Sequence, residues 1–274
     1  DEVCDEAADG GKGKCIKQVC KIPTSWGPTI QKWSKIEIAK AEDGCDLNGD
    51  KAPDNQLSNI ASIAGGSLSD GVKEGRLLLI FEAKEFKSDG SKFPVNLLLG
   101  DKLVDTKCDP TKDNCKYLLS KDTYDRTSKE AMCPSKVIFD NAMVKDGKMT
   151  AGGPKQVFDL SIPVATMTIT LRVSGAQVSG DVTGGKSWDG TKKGRICGVI
   201  TKEGLASALN AIPPEDLESL GGKATIQTFL DELLKPDIDT NNDDQPDSVS
   251  VALNFETIGG EVAGLSVPAT PTGG

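Results

Sequence analysis

One nine-residue pattern, Asp-x-Asn-x-Asp-x-x-Pro-Asp, occurs twice in this chain, as Asp46–Asp54 and again as Asp239–Asp247. Side chains at the first, third and fifth positions of a tight loop converge on one point. The seventh residue adds a backbone carbonyl and the ninth closes the ring with a carboxylate, an all-oxygen set that suits calcium. The expected ligands are Asp46, Asn48, Asp50, the Ala52 carbonyl and Asp54 in one loop, and Asp239, Asn241, Asp243, the Gln245 carbonyl and Asp247 in the other. Without a cation the carboxylates repel one another by roughly 3 kcal/mol per pair at about 5 Å and an effective dielectric near 20. Two Ca²⁺ ions are therefore expected as a condition of local folding. Asp, Asn, Gly and Pro are also plain turn formers; two copies of one pattern favour the metal.

The spacing resembles the calcium loops of integrin-type FG-GAP repeats and thrombospondin type 3 repeats, over eighteen residues in all. An EF-hand is a poorer match, because its twelfth position is Glu and here that position is Leu57 or Ser250. A propeller needs a regular repeat, and two copies this far apart do not supply one. The stretches from Cys45 to Leu57 and from Asp237 to Val251 also resemble secreted or lipid-anchored proteins of myxobacteria and their relatives, a group that implies export and calcium but no reaction.

Eight cysteines, at positions 4, 15, 20, 45, 108, 115, 133 and 197, occur without a Cys-x-x-Cys and without a single His. Zinc and redox motifs lack their usual residues, which leaves disulfides and an oxidising compartment. Cys108 and Cys115 close a turn-rich loop and are expected to pair; Cys45 should anchor the first acidic loop to distant chain. The N-terminal cysteines should staple a polar arm. The chain opens at Asp1 with neither Met nor an apolar leader, which reads as a mature extracellular or cell-surface form after signal removal. The absence of an Asn-x-Ser/Thr sequon is in keeping with a bacterial source. A formal charge of -9 disfavours nucleic acid and anionic membranes, and no apolar run is long enough to span a bilayer.

Periodicity predicts a mainly β protein with a few helices: an antiparallel β-sandwich or barrel, disulfide-stapled, with helices packed at its ends. Expected strands are Lys32–Ala41, Arg76–Phe86, Phe93–Val104, Lys136–Val144, Gln156–Pro163 and Met167–Val173, with a hairpin turn at Asp146-Gly147 and a last strand around Val249–Phe255. A short helix from Leu57 should stop at Gly65-Gly66, and a helical pair should occupy 201–235. The predicted organisation is a Cys-rich arm over 1–24, a body over 25–264 with a Cys-rich loop over about 105–135, and a Pro/Thr/Gly-rich tail over 265–274. Only 4% aromatic content predicts a core of Val, Ile, Leu and Ala, with Trp26, Trp33 and Trp188 as packing residues rather than a ligand platform.

Without His, a Ser-His-Asp triad and histidine-bound catalytic metals are excluded. Gly180–Ser187 has the spacing of a phosphate loop but no helix is expected after it, so it reads as a hairpin turn. The sequence thus points to a non-enzymatic, calcium-binding exterior protein of structural role, the repeating subunit of a filament or surface layer, whose partner is another copy or another surface protein. An exposed strand edge is one route to such a polymer. The alternatives are a calcium-dependent carbohydrate-binding or adhesion module and, behind it, a carboxylate-dependent glycosidase.

Overall fold

The computed structural model describes residues 2–4, 15–17, 20–164, 167–213, 218 and 222–266. The arm expected over 1–24 and the tail expected over 265–274 therefore lie largely outside the described residues. Two three-residue strands, β1 (Glu2–Cys4) and β2 (Cys15–Lys17), form a small antiparallel sheet of their own that sets Cys4 opposite Cys15.

Eight strands form a closed antiparallel barrel: β3 (Thr29–Ile38), β4 (Leu79–Ala83), β5 (Lys92–Leu103), β7 (Val137–Lys145), β8 (Lys148–Gly152), β10 (Met167–Thr183), β11 (Gly190–Thr201) and β12 (Ser248–Gly259). The ring runs β3-β12-β11-β10-β8-β7-β5-β4 and back to β3, with β5 and β7 closing it through Phe93 opposite Ala142 and Leu97 opposite Val137. Asp146 and Gly147 turn β7 into β8 with φ of 52° and 74°, the left-handed pair that a two-residue hairpin requires. Strand β9 (Val157–Val164) continues the line of β8 along β10, after a turn over 153–156. A Cβ at Gly152 would stand 2.1 Å from the Ala176 carbonyl oxygen, so no other residue fits. Gly184-Gly185-Lys186-Ser187 lies in the connection between β10 and β11, as a hairpin turn should.

Aromatic side chains cluster inside the barrel, although aromatic content is low. Trp33 stacks on Phe255 at 4.3 Å, and Phe81 touches Trp33, Phe139, Trp188 and Phe255. Concentrating the few large rings at the centre fills it with rigid volume that aliphatics alone would leave in pieces. Leu77, Leu79 and Phe81 face this core, while Leu78 and Ile80 belong to a second one on the outer face. That face is covered by β6 (Lys116–Leu119) and by β13 (Glu261–Leu265), which runs parallel to β6 and ends the sheet. Burial on both faces explains an unbroken apolar run from Leu77 to Phe81. Two details depart from the expected organisation: β6 lies within the Cys-rich loop over about 105–135, and Leu265, first residue of the expected tail, packs on the second core.

Lys32, on the outer face of β3, is fully buried beneath the Cys108–Cys115 loop and donates a hydrogen bond to the Pro110 carbonyl. Burial pulls its ammonium down to about 8, against the opposing pull of Asp109. The hydroxyl of Tyr117, buried in the same core, has no hydrogen-bond partner among the described residues. Two longer bridges, Cys20–Cys133 and Cys45–Cys197, tie distant chain together as expected of a disulfide-stapled fold.

Three helices complete the described fold. Helix α1 (Ala61–Lys73) runs straight through Gly65-Gly66 instead of stopping there, because Leu68 and Val72 anchor its next turns in the core and outweigh the cost of two glycines, about 1 kcal/mol each. It packs on β3 and β9. Helix α2 (Lys202–Asn210) packs on β10 and β11, and α3 (Lys223–Leu233) packs on it through Ile226 and Leu230 against Leu209 and Ile212. Among the described residues no helix is long and apolar enough to cross a membrane.

Candidate metal centre

The first acidic loop leaves the end of β3 and the second leads into the start of β12, so both lie where these paired strands meet, at the Ile38–Leu253 end of their ladder. Residues flanking the two loops are bonded to each other. The Gln56 N–H donates to Ser250 Oγ at 2.7 Å, Ser250 Oγ donates to Asp237 Oδ2 at 2.5 Å, and Asn59 Nδ2 donates to the Leu233 carbonyl at 2.9 Å. Asn55, buried directly behind the first loop, donates to the Ala39 carbonyl and accepts from the Ala252 N–H at 2.9 Å. Asn55, Asp237 and Ser250 were not among the expected site residues; their only trace in sequence is that each sits within a few residues of a motif.

Within the loops the hydrogen bonds correspond position by position. Asp46 accepts from the N–H groups of Gly49 and Lys51; Asp239 accepts from those of Asn242 and Asp244. Asn48 accepts from Asp50 N–H and Asn241 from Asp243 N–H, both at 2.9 Å. Asp50 accepts from Ala52 N–H at 2.7 Å and Asp243 from Gln245 N–H at 2.9 Å. The ninth carboxylate reaches back to the second residue, Asp54 to Leu47 N–H and Asp247 to Thr240 N–H. A backbone bond then shuts each loop, from Asp54 N–H to the Cys45 carbonyl and from Asp247 N–H to the Ile238 carbonyl. Even the left-handed residues match, Gly49 and Lys51 against Asn242 and Asp244.

This skeleton brings the predicted ligands of each loop to one exposed turn, but their carboxylates are not gathered into a closed cage. Among the described residues no three acidic or cysteine side chains converge closely enough to hold a metal as they stand. In the first loop the Asn48 amide nitrogen sits 3.4 Å from Asp50 Oδ2 and 3.5 Å from Asp54 Oδ1, a weak positive end between two carboxylates. In the second, Asn241 Nδ2 stands 3.1 Å from Asp243 Oδ2. The donors present, carboxylate, amide and peptide oxygens alone, fit a hard cation in kind. Ala52 and Gln245 enter these contacts through their N–H groups, with the predicted carbonyl role left to a bound ion.

The closing carboxylates differ. Burial pushes Asp54 above the ordinary carboxylate range, with Asp237 and Asp50 adding to it and the Leu47 N–H opposing. The Thr240 hydroxyl, chiefly, holds Asp247 below that range. The chain matches no protein-family model, no curated protein and no solved structure.

Proposed function

We propose that the protein is a non-enzymatic, exported calcium-binding protein of structural role, built to repeat in an extracellular filament or surface layer. What carries the reading is that two loops far apart in sequence adopt one hydrogen-bonded skeleton and meet at one end of the barrel. One cation in each would draw in carboxylates that are now held apart by amide groups. Three disulfides among the described residues accord with an oxidising exterior. We also read the helices as covers for the ends of the barrel, supported by Leu68 and Val72 sharing the core of Trp33 and Ile36. The edge strand β13 supports self-association, since a sheet that ends in a strand offers backbone groups to a neighbour.

Calorimetric titration with Ca²⁺ tests the metal: two binding events are expected, in the millimolar-range affinity typical of exterior modules, and Asp50→Ala or Asp243→Ala should each remove one. No heat of binding, with a melting curve indifferent to chelator, would refute it. Electron microscopy of native material isolated with calcium tests the assembly.

A further inference from the structure

A groove of about 990 Å³ crosses the outside of the barrel between the C-terminal end of α1 and the Cys108–Cys115 loop. Five exposed lysines line it, Lys35, Lys73, Lys107, Lys112 and Lys192, drawn from four separate parts of the chain. Only three acidic residues, Glu74, Asp109 and Glu256, line the same groove in a protein of net charge -9. Four of the lysines rest on carboxylates, Lys35 on Glu37, Lys73 on Asp70, Lys112 on Asp109 and Lys192 on Glu256. Such exposed pairs are each worth about 0–1 kcal/mol and exchange readily for a partner's carboxylates. The Lys107 ammonium makes no ion pair among the described residues, although its backbone N–H donates to Asp105.

The acidic loops lie toward the opposite end of the same elements. Helix α1 begins seven residues after Asp54 and reaches the groove at Ser69 and Lys73, about 12 and about 18 Å further on at ~1.5 Å per residue. Strand β12 leaves the second loop at Ser248 and reaches the groove at Glu256 and Ile258, on the order of 30 Å away at ~3.3 Å per residue. The second loop carries Asp239, Asp243, Asp244 and Asp247 with no basic residue, so a single divalent ion would leave it negative. At the sixth position the first loop has Lys51 where the second has exposed Asp244.

We infer that the groove receives the Asp239–Asp247 loop of a second copy of this chain. The contact rests on the repeating-subunit reading and deepens it. Unlike patches at opposite ends make a head-to-tail junction, which extends into a filament wherever its rotation does not close a ring.

Sedimentation velocity over a range of protein concentrations, with calcium present, tests the junction. Wild-type association should weaken sharply between about 50 and about 500 mM salt as the screening length shortens. The groove variant Lys107→Glu/Lys112→Glu and the loop variant Asp244→Lys should each associate at least about tenfold more weakly. Mixed together they should recover, because each then presents the charge the other lacks; unchanged melting curves show that both remain folded. Wild-type assembly that ignores salt and all three substitutions would overturn the junction and leave the repeating-subunit reading standing. A wild-type protein monomeric under every condition would remove both, and a monomer whose groove retains a soluble polyuronate would assign the lysines to an anionic glycan instead.

Discussion

The two acidic loops share one internal skeleton and differ in what holds them to the barrel. The first is bolted by covalent and buried polar contacts. Cys45 is bridged to Cys197 on β11, Asn55 is buried between β3 and β12, and Arg195 reaches Asp43 and the Gly44 carbonyl. The second has no disulfide and leans on Asp237, which accepts from both the N–H and the hydroxyl of Ser250. The closing carboxylates follow suit. Asp54 is partly buried and within the field of Asp237 and Asp50, whereas Asp247 accepts hydrogen bonds from the hydroxyls of Thr240 and Ser248. A motif therefore fixes the path of a loop, while its charge balance is set by whatever the fold packs behind it.

The largest test of that contrast removes the bolt. Cys45→Ser/Cys197→Ser should cost about 2–5 kcal/mol in urea denaturation, since the bridge spans 152 residues, and calcium binding by the first loop should suffer while the second keeps its own. Equal losses in both loops would show that the two are a single mechanical unit. Next comes Asn55→Ala, which strands the Ala252 N–H and the Ala39 carbonyl in the interior; about 2–4 kcal/mol should be lost. Ser250→Ala, which removes a hydroxyl from the half-exposed Asp237, should cost about 1 kcal/mol.

Calcium at a hundredfold excess over its dissociation constant should stabilise the protein by about 2.7 kcal/mol per independent site. The gain lost in Asp50→Ala should exceed that lost in Asp243→Ala, because the cation relieves Asp54 of its acidic neighbours and has less to relieve at Asp247. The smallest effect is a pH slope, measured in chelator. Asp54 releases its proton later in the folded chain than in the unfolded one, so its contribution declines as pH rises from the ordinary carboxylate value through the folded one. Asp247 has the opposite sign: its contribution is present above the ordinary value and is lost as pH falls through its folded value. Asp54→Asn should flatten the first slope by under about 1 kcal/mol after solvent screening, and Asp247→Asn should flatten only the second.

Much of the fold was legible because local chemistry decided it. Alternation from Met167 to Val173 marks β10, Asp146-Gly147 can hardly do anything but turn a hairpin, and the apolar run from Phe93 finds its strand as β5. Strands β6, β8, β11 and β13 were not found, nor the short pair β1 and β2 inside the expected arm. Lys116–Leu119 is too short to show a period, Gly190–Thr201 opens on Gly, Lys and Arg, and Glu261–Leu265 is held by pairing with β6 rather than by its own pattern. The stop expected at Gly65-Gly66 shows the same limit, since the contacts that carry α1 onward lie in other strands. The pairing of Cys108 with Cys115 was readable from seven residues of separation; that of Cys45 with Cys197 was not.

By itself the sequence determined the path of each acidic loop, because Asp and Asn side-chain oxygens accept from backbone N–H groups within the same nine residues. Tertiary structure alone decided that the ladder between β3 and β12 would set those loops side by side, bury Asn55 behind one of them and place the lysine-lined groove toward the far end of β12. The physical reason is range: hydrogen bonds between near neighbours are written in spacing, whereas proximity across two hundred residues exists only once the barrel has closed.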